Sequence, residues 1–157
     1  MLLPLIRFIK LKISSNQFFL GLILIDFNRF VGGAYGKATQ RQMMIELMNN
    51  GPIVASFEPS SEFMYYEGGV YHSVDAEWLT NGEERPEWEK VDHSVLLYGW
   101  GETEDGLKYW KLRNTWGPDW GENGDFRMKR GVDDSAIESL AEAADPIIVY
   151  KNKNHKI

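Results

Sequence analysis

The sequence contains no cysteine among its 157 residues. This absence excludes disulfide bonds, thiolate metal sites and a thiol nucleophile from within the chain. It does not identify the compartment, because cytosolic proteins avoid disulfides and a secreted protein can lack them. Positive charge is also scarce, with 17 Lys and Arg against 23 Asp and Glu and a net charge of −6. This balance argues against a nucleic-acid partner, since phosphate binding requires a basic patch.

Long hydrophobic runs are missing as well. The apolar stretch 17–25 is shorter than the ~20 residues that a membrane-spanning helix needs. Basic residues precede it, as in a signal peptide, but no small-residue cleavage site follows. We treat 1–25 as an atypical segment: a signal or anchor, a non-native start, or a strand packed on the body. Residues 26–150 are predicted to form one domain, followed by a tail at 151–157.

The remaining sequence predicts one early helix. Thr39 and Gln42 have the spacing of a capping box. The apolar side chains that follow at helical spacing are Met43, Met44, Leu47 and Met48. The segment 49–52 (NNGP) predicts the end of this helix, because glycine suits the position past the last turn and proline cannot continue it.

Beyond this helix the pattern favours strands. The predicted strands are 53–57, 70–72, 94–100, 107–113, 126–129 and 147–150. A second helix is predicted over 133–144, because acidic residues at its start suit the positive end of a helix. Residues 75–92 are acidic and contain turn signals, so we expect a solvated loop, with an exposed processing site as the alternative.

The predicted hairpin at 94–113 brings two polar side chains together. If its turn is centred between Thr103 and Glu104, His93 lies opposite Asn114 with Cβ atoms ~5 Å apart, unless a bulge shifts the register. A histidine that deprotonates a nucleophile needs its second ring nitrogen held by an acceptor, and an amide oxygen can serve. Trp116 is close enough in sequence to cover that bond. On spacing alone, a surface or structurally satisfied histidine remains the alternative.

Two long segments carry a resemblance to a known family. Residues 91–101 (VDHSVLLYGWG) resemble the histidine segment of papain-like cysteine peptidases. Residues 109–117 (YWKLRNTWG) and 120–124 (WGENG) resemble their asparagine segment. Three further segments are similar to the dipeptidyl peptidase I (cathepsin C) branch: 31–36 (VGGAYG), 50–54 (NGPIV) and 130–139 (RGVDDSAIES). The resemblance covers roughly residues 26–150.

The resemblance implies a fold and site residues. The fold class would be α+β, namely the antiparallel, β-barrel-like right-hand half of the papain-like fold with short helices. His93 would be the general base and acid, Asn114 would orient it, and Trp116 would shield the pair. Leu140 would line the pocket for the second substrate side chain before the scissile bond. The resemblance implies no metal.

The chain also departs from the family pattern. The family's nucleophilic cysteine and oxyanion-hole glutamine lie in the first half of the catalytic unit, and we expect that half and the exclusion domain to be absent. Ser94 and Ser135 are not expected to replace the nucleophile, because Ser94 faces away from His93 and Ser135 lies at a helix start. Phe30 stands where the branch has a tyrosine that helps to hold chloride. We therefore expect no cofactor, chloride being the ion that the resemblance implies.

The leading interpretation is a fragment of a cysteine-type peptidase that is inactive alone. It would act on peptides only when completed by a cysteine-bearing half, and an exposed apolar face would favour self-association. Lysosomal or secreted localisation follows from the family, without clear support from residues 1–25. The alternatives are a non-catalytic peptidase-like binding or regulatory module and sugar binding through the Trp residues, although Trp116 and Trp120 are better explained by the peptidase motif.

Overall fold

The structure is a computed structural model that describes residues 7–13, 17–73 and 91–150, with side chains over 29–73 and 91–145. The chain divides into two compact units, which are Met1–Asn28 with Ala144–Ile157, and Arg29–Ala143. In the first unit, β1 (Arg7–Ile13) pairs antiparallel with β2 (Gln17–Phe30). The predicted acidic loop at 75–92 falls largely on residues 74–90, which lie outside the described residues. No helix in the described parts is long and apolar enough to cross a membrane.

The second unit begins with the predicted helix, α1 (Gln40–Asn50). The Thr39 hydroxyl caps it by accepting a hydrogen bond from the Gln42 N–H at 3.4 Å. At the other end, Gly51 adopts φ 93° and donates its N–H to Leu47 O, which ends the helix as the sequence predicts. Of the four apolar side chains at helical spacing, Met48 is 65% exposed and the others turn inward, with Met43 fully buried.

An open sheet forms the body of the second unit. After α1 its strands are β3 (Ile53–Phe57), β4 (Val70–Tyr71), β5 (His93–Glu102), β6 (Lys108–Arg113), β7 (Asp125–Lys129) and the start of β8 (Leu140–Tyr150), whose residues from Ala144 onward belong to the first unit. Their spatial order is β8–β3–β5–β6–β7–β4. Neighbouring strands run antiparallel except β4 and β7, which are parallel. Alternate side chains of the strands enter one core, which includes Phe57, Leu97, Trp110, Leu112, Phe126 and Met128.

The register predicted for the β5–β6 hairpin is wrong. Trp100 lies opposite Trp110, and a bulge between Leu97 and Gly99 then shifts the pairing, so that Leu97 lies opposite Leu112. The turn is displaced toward the second strand, because the Thr103 hydroxyl accepts a hydrogen bond from the Leu107 N–H at 2.9 Å, which closes a loop at 103–107 instead of the predicted loop at 101–106. His93 is therefore not the direct cross-strand partner of the residue after β6.

The helix predicted over 133–144 is also wrong. Only Asp134–Ala136 form a short 3-10 helix, and β8 follows from Leu140. The Asp133 carboxylate accepts hydrogen bonds from the Glu138 N–H at 2.7 Å and from the Ser139 hydroxyl at 2.6 Å. Such bonds from side chains to nearby backbone compete with helix formation. The strand predicted at 147–150 is confirmed as the end of β8.

Candidate active site

The side chains of His93 and Asn114 meet at the ends of two neighbouring strands. His93 is the first residue of β5, and Asn114 follows the last residue of β6. The Asn114 backbone N–H is fixed by donation to Gly124 O at 2.9 Å. His93 Nε2 and Asn114 Oδ1 are 2.9 Å apart. The structure thus brings together the two residues that the sequence singled out, although by a different register.

The hydrogen bonds around Asn114 determine which His93 nitrogen carries a proton. Asn114 Oδ1 also accepts a hydrogen bond from the Thr115 N–H at 2.8 Å. Because a backbone N–H can only donate, the atom facing it must be the amide oxygen. His93 Nε2 must then be the donor to that same oxygen. In the neutral ring Nδ1 is therefore the lone-pair nitrogen, the one that can accept a proton.

The Asn114 amide nitrogen is left without a partner by this arrangement. Asn114 is only 6% exposed, and no acceptor in the described chain contacts its Nδ2. A buried donor without a partner costs about 1–3 kcal/mol. Rotating the amide does not remove that cost, since Nδ2 would then face the Thr115 N–H. The local hydrogen bonds thus keep Oδ1 facing His93, and they leave Nδ2 buried without a partner among the described residues.

Aromatic rings enclose the imidazole. Trp116 lies over His93 with ring centroids 5.2 Å apart and an angle of 34° between the ring planes. It is 43% exposed, so it forms the solvent side of the enclosure. On the protein side lie Phe57 and Phe63, with centroids 5.5 and 6.5 Å from His93. Because these rings exclude water from the sides of the imidazole, its bond to Asn114 meets less competition from solvent.

The sequence did not indicate the part played by Phe63. It lies in a 3-10 helix, Ser61–Tyr65, which has no periodic signal. Its ring contacts Trp116 and Trp120 at 5.6 and 5.0 Å between centroids. The Trp120 indole N–H donates to Met64 O at 3.1 Å, which ties the loop after β6 to this helix. The 3-10 helix thus packs against Trp116 through Phe63 and supports the position of the indole ring.

Comparison with known proteins identifies the family. Residues 28–144 match the protein family described as "Papain family cysteine protease". The chain belongs to the papain family. It is 38% identical over 120 residues to "Cathepsin C" of Schistosoma mansoni, covering 76% of this chain and 26% of that protein. It is 40% identical over 136 residues to "Dipeptidyl aminopeptidase 1" of Plasmodium falciparum (isolate 3D7), covering 77% and 19%.

A solved structure agrees with the family assignment. Digestive procathepsin L 3 of the Tenebrio molitor larval midgut matches with a TM-score of 0.61 at 22% identity, covering 77% of this chain and 35% of that one. At this identity the likeness shows the fold alone, and it confirms the predicted α+β, papain-like class. The chain spans about a quarter or less of the two curated relatives, 26% and 19%.

Leu140 lies apart from His93. It is the first residue of β8, opposite Ser56 in β3, which in turn lies opposite Ser94 in β5. The hydroxyls of Ser56 and Ser94 are 2.9 Å apart and hydrogen bonded. Leu140 is therefore aligned across the strands with Ser56 and Ser94 on one face of the sheet, and the His93 side chain lies on the opposite face. Its part in a substrate pocket stays a prediction.

Neither serine considered as a nucleophile contacts the imidazole. The Ser94 hydroxyl is bonded to Ser56, on the other face of the sheet from His93. Ser135 is buried and donates its hydroxyl to Asp134 Oδ1 at 3.2 Å. A papain-family reaction needs a thiolate, and the chain has no cysteine. The described site thus offers a proton acceptor and its orienting amide, but no nucleophile.

A second histidine, His72, lies outside this site and pairs with a carboxylate, a contact that the sequence analysis missed. His72 Nδ1 is 2.6 Å from Asp134 Oδ2, and the Asp134 side chain is fully buried. Asp134 also accepts the Ser73 N–H at 3.2 Å. These contacts join the end of β4 to the 3-10 helix before β8, which indicates a structural role. Within the described chain, no group of three or more His, Cys, Asp or Glu is arranged to hold a metal.

Proposed function

We propose that this chain supplies the base-bearing half of a dipeptidyl peptidase I-like cysteine peptidase site and is inactive alone. The supporting observation is the bond from His93 Nε2 to Asn114 Oδ1, at 2.9 Å, which leaves His93 Nδ1 as the proton acceptor. Asn114 orients the ring, and Trp116 shields the pair. The similarity to cathepsin C and dipeptidyl aminopeptidase 1 supports this branch of the family.

The chemistry follows from the two ring nitrogens. In a completed site, His93 Nδ1 takes the proton of a cysteine thiol, and the thiolate attacks the peptide carbonyl carbon. The C–N bond breaks as the imidazolium returns that proton to the leaving amine. A water molecule, deprotonated by the same nitrogen, then hydrolyses the thioester. Because Asn114 is neutral, the thiolate balances the imidazolium charge.

The cysteine would come from a separate helical half. The short coverage of the curated relatives, 26% and 19% of their lengths, supports a fragment. An apolar surface that such a half could cover lies on the outer face of β3 and β5. Val54 and Leu96 lie opposite each other there, beside Tyr98, and all three are exposed. Left uncovered, this surface favours self-association.

Three further features of the function are proposed. Leu140 lines the pocket for the second substrate side chain before the scissile bond, as the family pattern suggests. Chloride does not bind, because Phe30 has no hydroxyl and its ring packs edge-on against Tyr35 at 5.7 Å between centroids. A lysosomal or secreted location is supported by family membership.

Hydrolysis of a dipeptide-amide substrate tests the proposal. We expect no turnover by this chain alone or by the cysteine-bearing half of a close relative alone, and turnover when the two are mixed. The controls are the same mixture with His93→Ala in this chain and with Cys→Ser in the other half, both of which should be inactive.

Two results would contradict the fragment interpretation. One is association of the two halves with no turnover; the other is no association at all. Either would favour a non-catalytic binding or regulatory module, which the absence of cysteine also favours. Peptide binding by the unmixed chain would then be the activity to measure.

A further inference from the structure

A single hydrogen bond does not fix the orientation of the His93 ring. Its bond from Nε2 to Asn114 Oδ1 holds one atom of the imidazole. A ring held at one atom can still tilt about that contact and carry Nδ1 away from a nucleophile. Proton transfer depends strongly on placement, so something else must limit this motion. The aromatic side chains that pack against the two sides of the imidazole, here called its walls, are therefore the groups to consider.

The two closest walls differ in mobility. Trp116 covers one side of the ring but is 43% exposed, so it can move into solvent. Phe57 covers the other side, edge-on, at 5.5 Å between centroids and 69° between planes. It is fully buried and is the direct cross-strand partner of His93 in the pairing of β3 with β5.

Other rings hold Phe57 in place. Phe63 packs edge-on against it at 5.2 Å between centroids, and Phe126 packs at 6.0 Å with a tilt of 36°. Both neighbours are themselves buried. A planar ring in such packing has few alternative rotamers. Phe57 is therefore a fixed wall set by the backbone pairing of the sheet.

We propose that Phe57 is a positioning residue for His93, which restricts the imidazole to the orientation that donates Nε2–H to Asn114. Its importance for catalysis rests on the function proposed for His93. Leucine at position 57 would keep an apolar side chain there but would remove the aromatic ring that packs against the imidazole. The branched leucine side chain would leave a gap beside the His93 ring. His93 would then sample orientations in which the bond to Asn114 is broken.

Nitrogen-15 NMR of the histidine rings in the full chain tests this proposal, with the His93 signals assigned by a His93→Gln variant. The unmodified chain should show one tautomer with the proton on Nε2. Phe57→Leu should show a mixture of tautomers, and its Nε2 proton should exchange with solvent at least about tenfold faster. Phe57→Met, which also lacks the flat ring but is more adaptable, should act in the same direction and serves if the leucine variant does not fold.

Trp110→Phe is the matched control. Trp110 is an equally buried aromatic residue, and among the described residues its ring packs against Trp100 at 6.4 Å between centroids and not against Phe57, Phe63 or His93. It should leave the tautomer unchanged. The proposal is overturned if Phe57→Leu and Phe57→Met keep a single Nε2–H tautomer, or if Trp110→Phe disturbs it as much. Since this measurement needs no nucleophile, an inactive mixture of halves would refute the proposed function without affecting the result for Phe57.

Discussion

Replacing Asn114 by alanine removes both hydrogen bonds that its Oδ1 accepts, from His93 Nε2 and from the Thr115 N–H. A typical net contribution is about 1 kcal/mol for each bond, so their loss destabilises by about 2 kcal/mol. The same change deletes the buried Nδ2, which has no partner among the described residues and therefore costs about 1–3 kcal/mol. The two effects nearly cancel, and we expect the free energy of unfolding to change by less than about 1 kcal/mol.

The functional effect of Asn114→Ala should be much larger than its effect on stability. Without Oδ1, the His93 ring loses the acceptor that selects its tautomer, so the fraction with a proton on Nε2 should fall in NMR spectra. Urea unfolding followed by tryptophan fluorescence gives the stability change on the same sample. A loss of stability above about 3 kcal/mol would refute the reasoning, because it would mean that Nδ2 is well paired in the native protein.

Three other changes test the packing and charges around the site. Gly121 has φ 58°, and a Cβ there would lie 2.7 Å from Asp125 O. Gly121→Ala should therefore destabilise by about 1–3 kcal/mol in urea, clearly more than Gly33→Ala, where φ is also positive but nothing lies within 4 Å. Burial raises the pKa of Glu138, so its contribution is complete at low pH and is lost as pH rises through that raised pKa. Glu138→Gln should remove this decline from the unfolding free energy between acidic and neutral pH. Hydrogen bonds from Arg127 lower the pKa of Glu122, so that contribution is lost as pH falls through the lowered pKa. Arg127→Gln should destabilise by about 1 kcal/mol at neutral pH and less in acid, and an equal effect at both pH values would contradict the ion pair.

Local signals in the sequence predicted the parts of the fold that depend on near neighbours. Thr39 and Gly51 mark the ends of α1, because both act on backbone groups within a few residues. The family motifs also led to His93 and Asn114, which the structure joins at 2.9 Å. Counting residues in the hairpin led to the same pair through a wrong register, since a bulge and a displaced turn are not visible in such a count.

The parts that could not be predicted depend on contacts between distant segments. The region 133–144 has a helical composition, but Asp133 and Glu138 bind the backbone of their own loop, and β8 instead pairs with β3. The wall formed by Phe57 exists only because β3 pairs with β5. Asp134 and His72 are 62 residues apart in sequence, so no local pattern could connect them.

The most direct measurement of the central claim is the rate of dipeptide-amide hydrolysis by this chain mixed with a cysteine-bearing half. We expect turnover that appears only in the mixture and disappears with His93→Ala. Turnover by this chain alone would contradict it, and so would turnover in the mixture that persists after His93 is replaced.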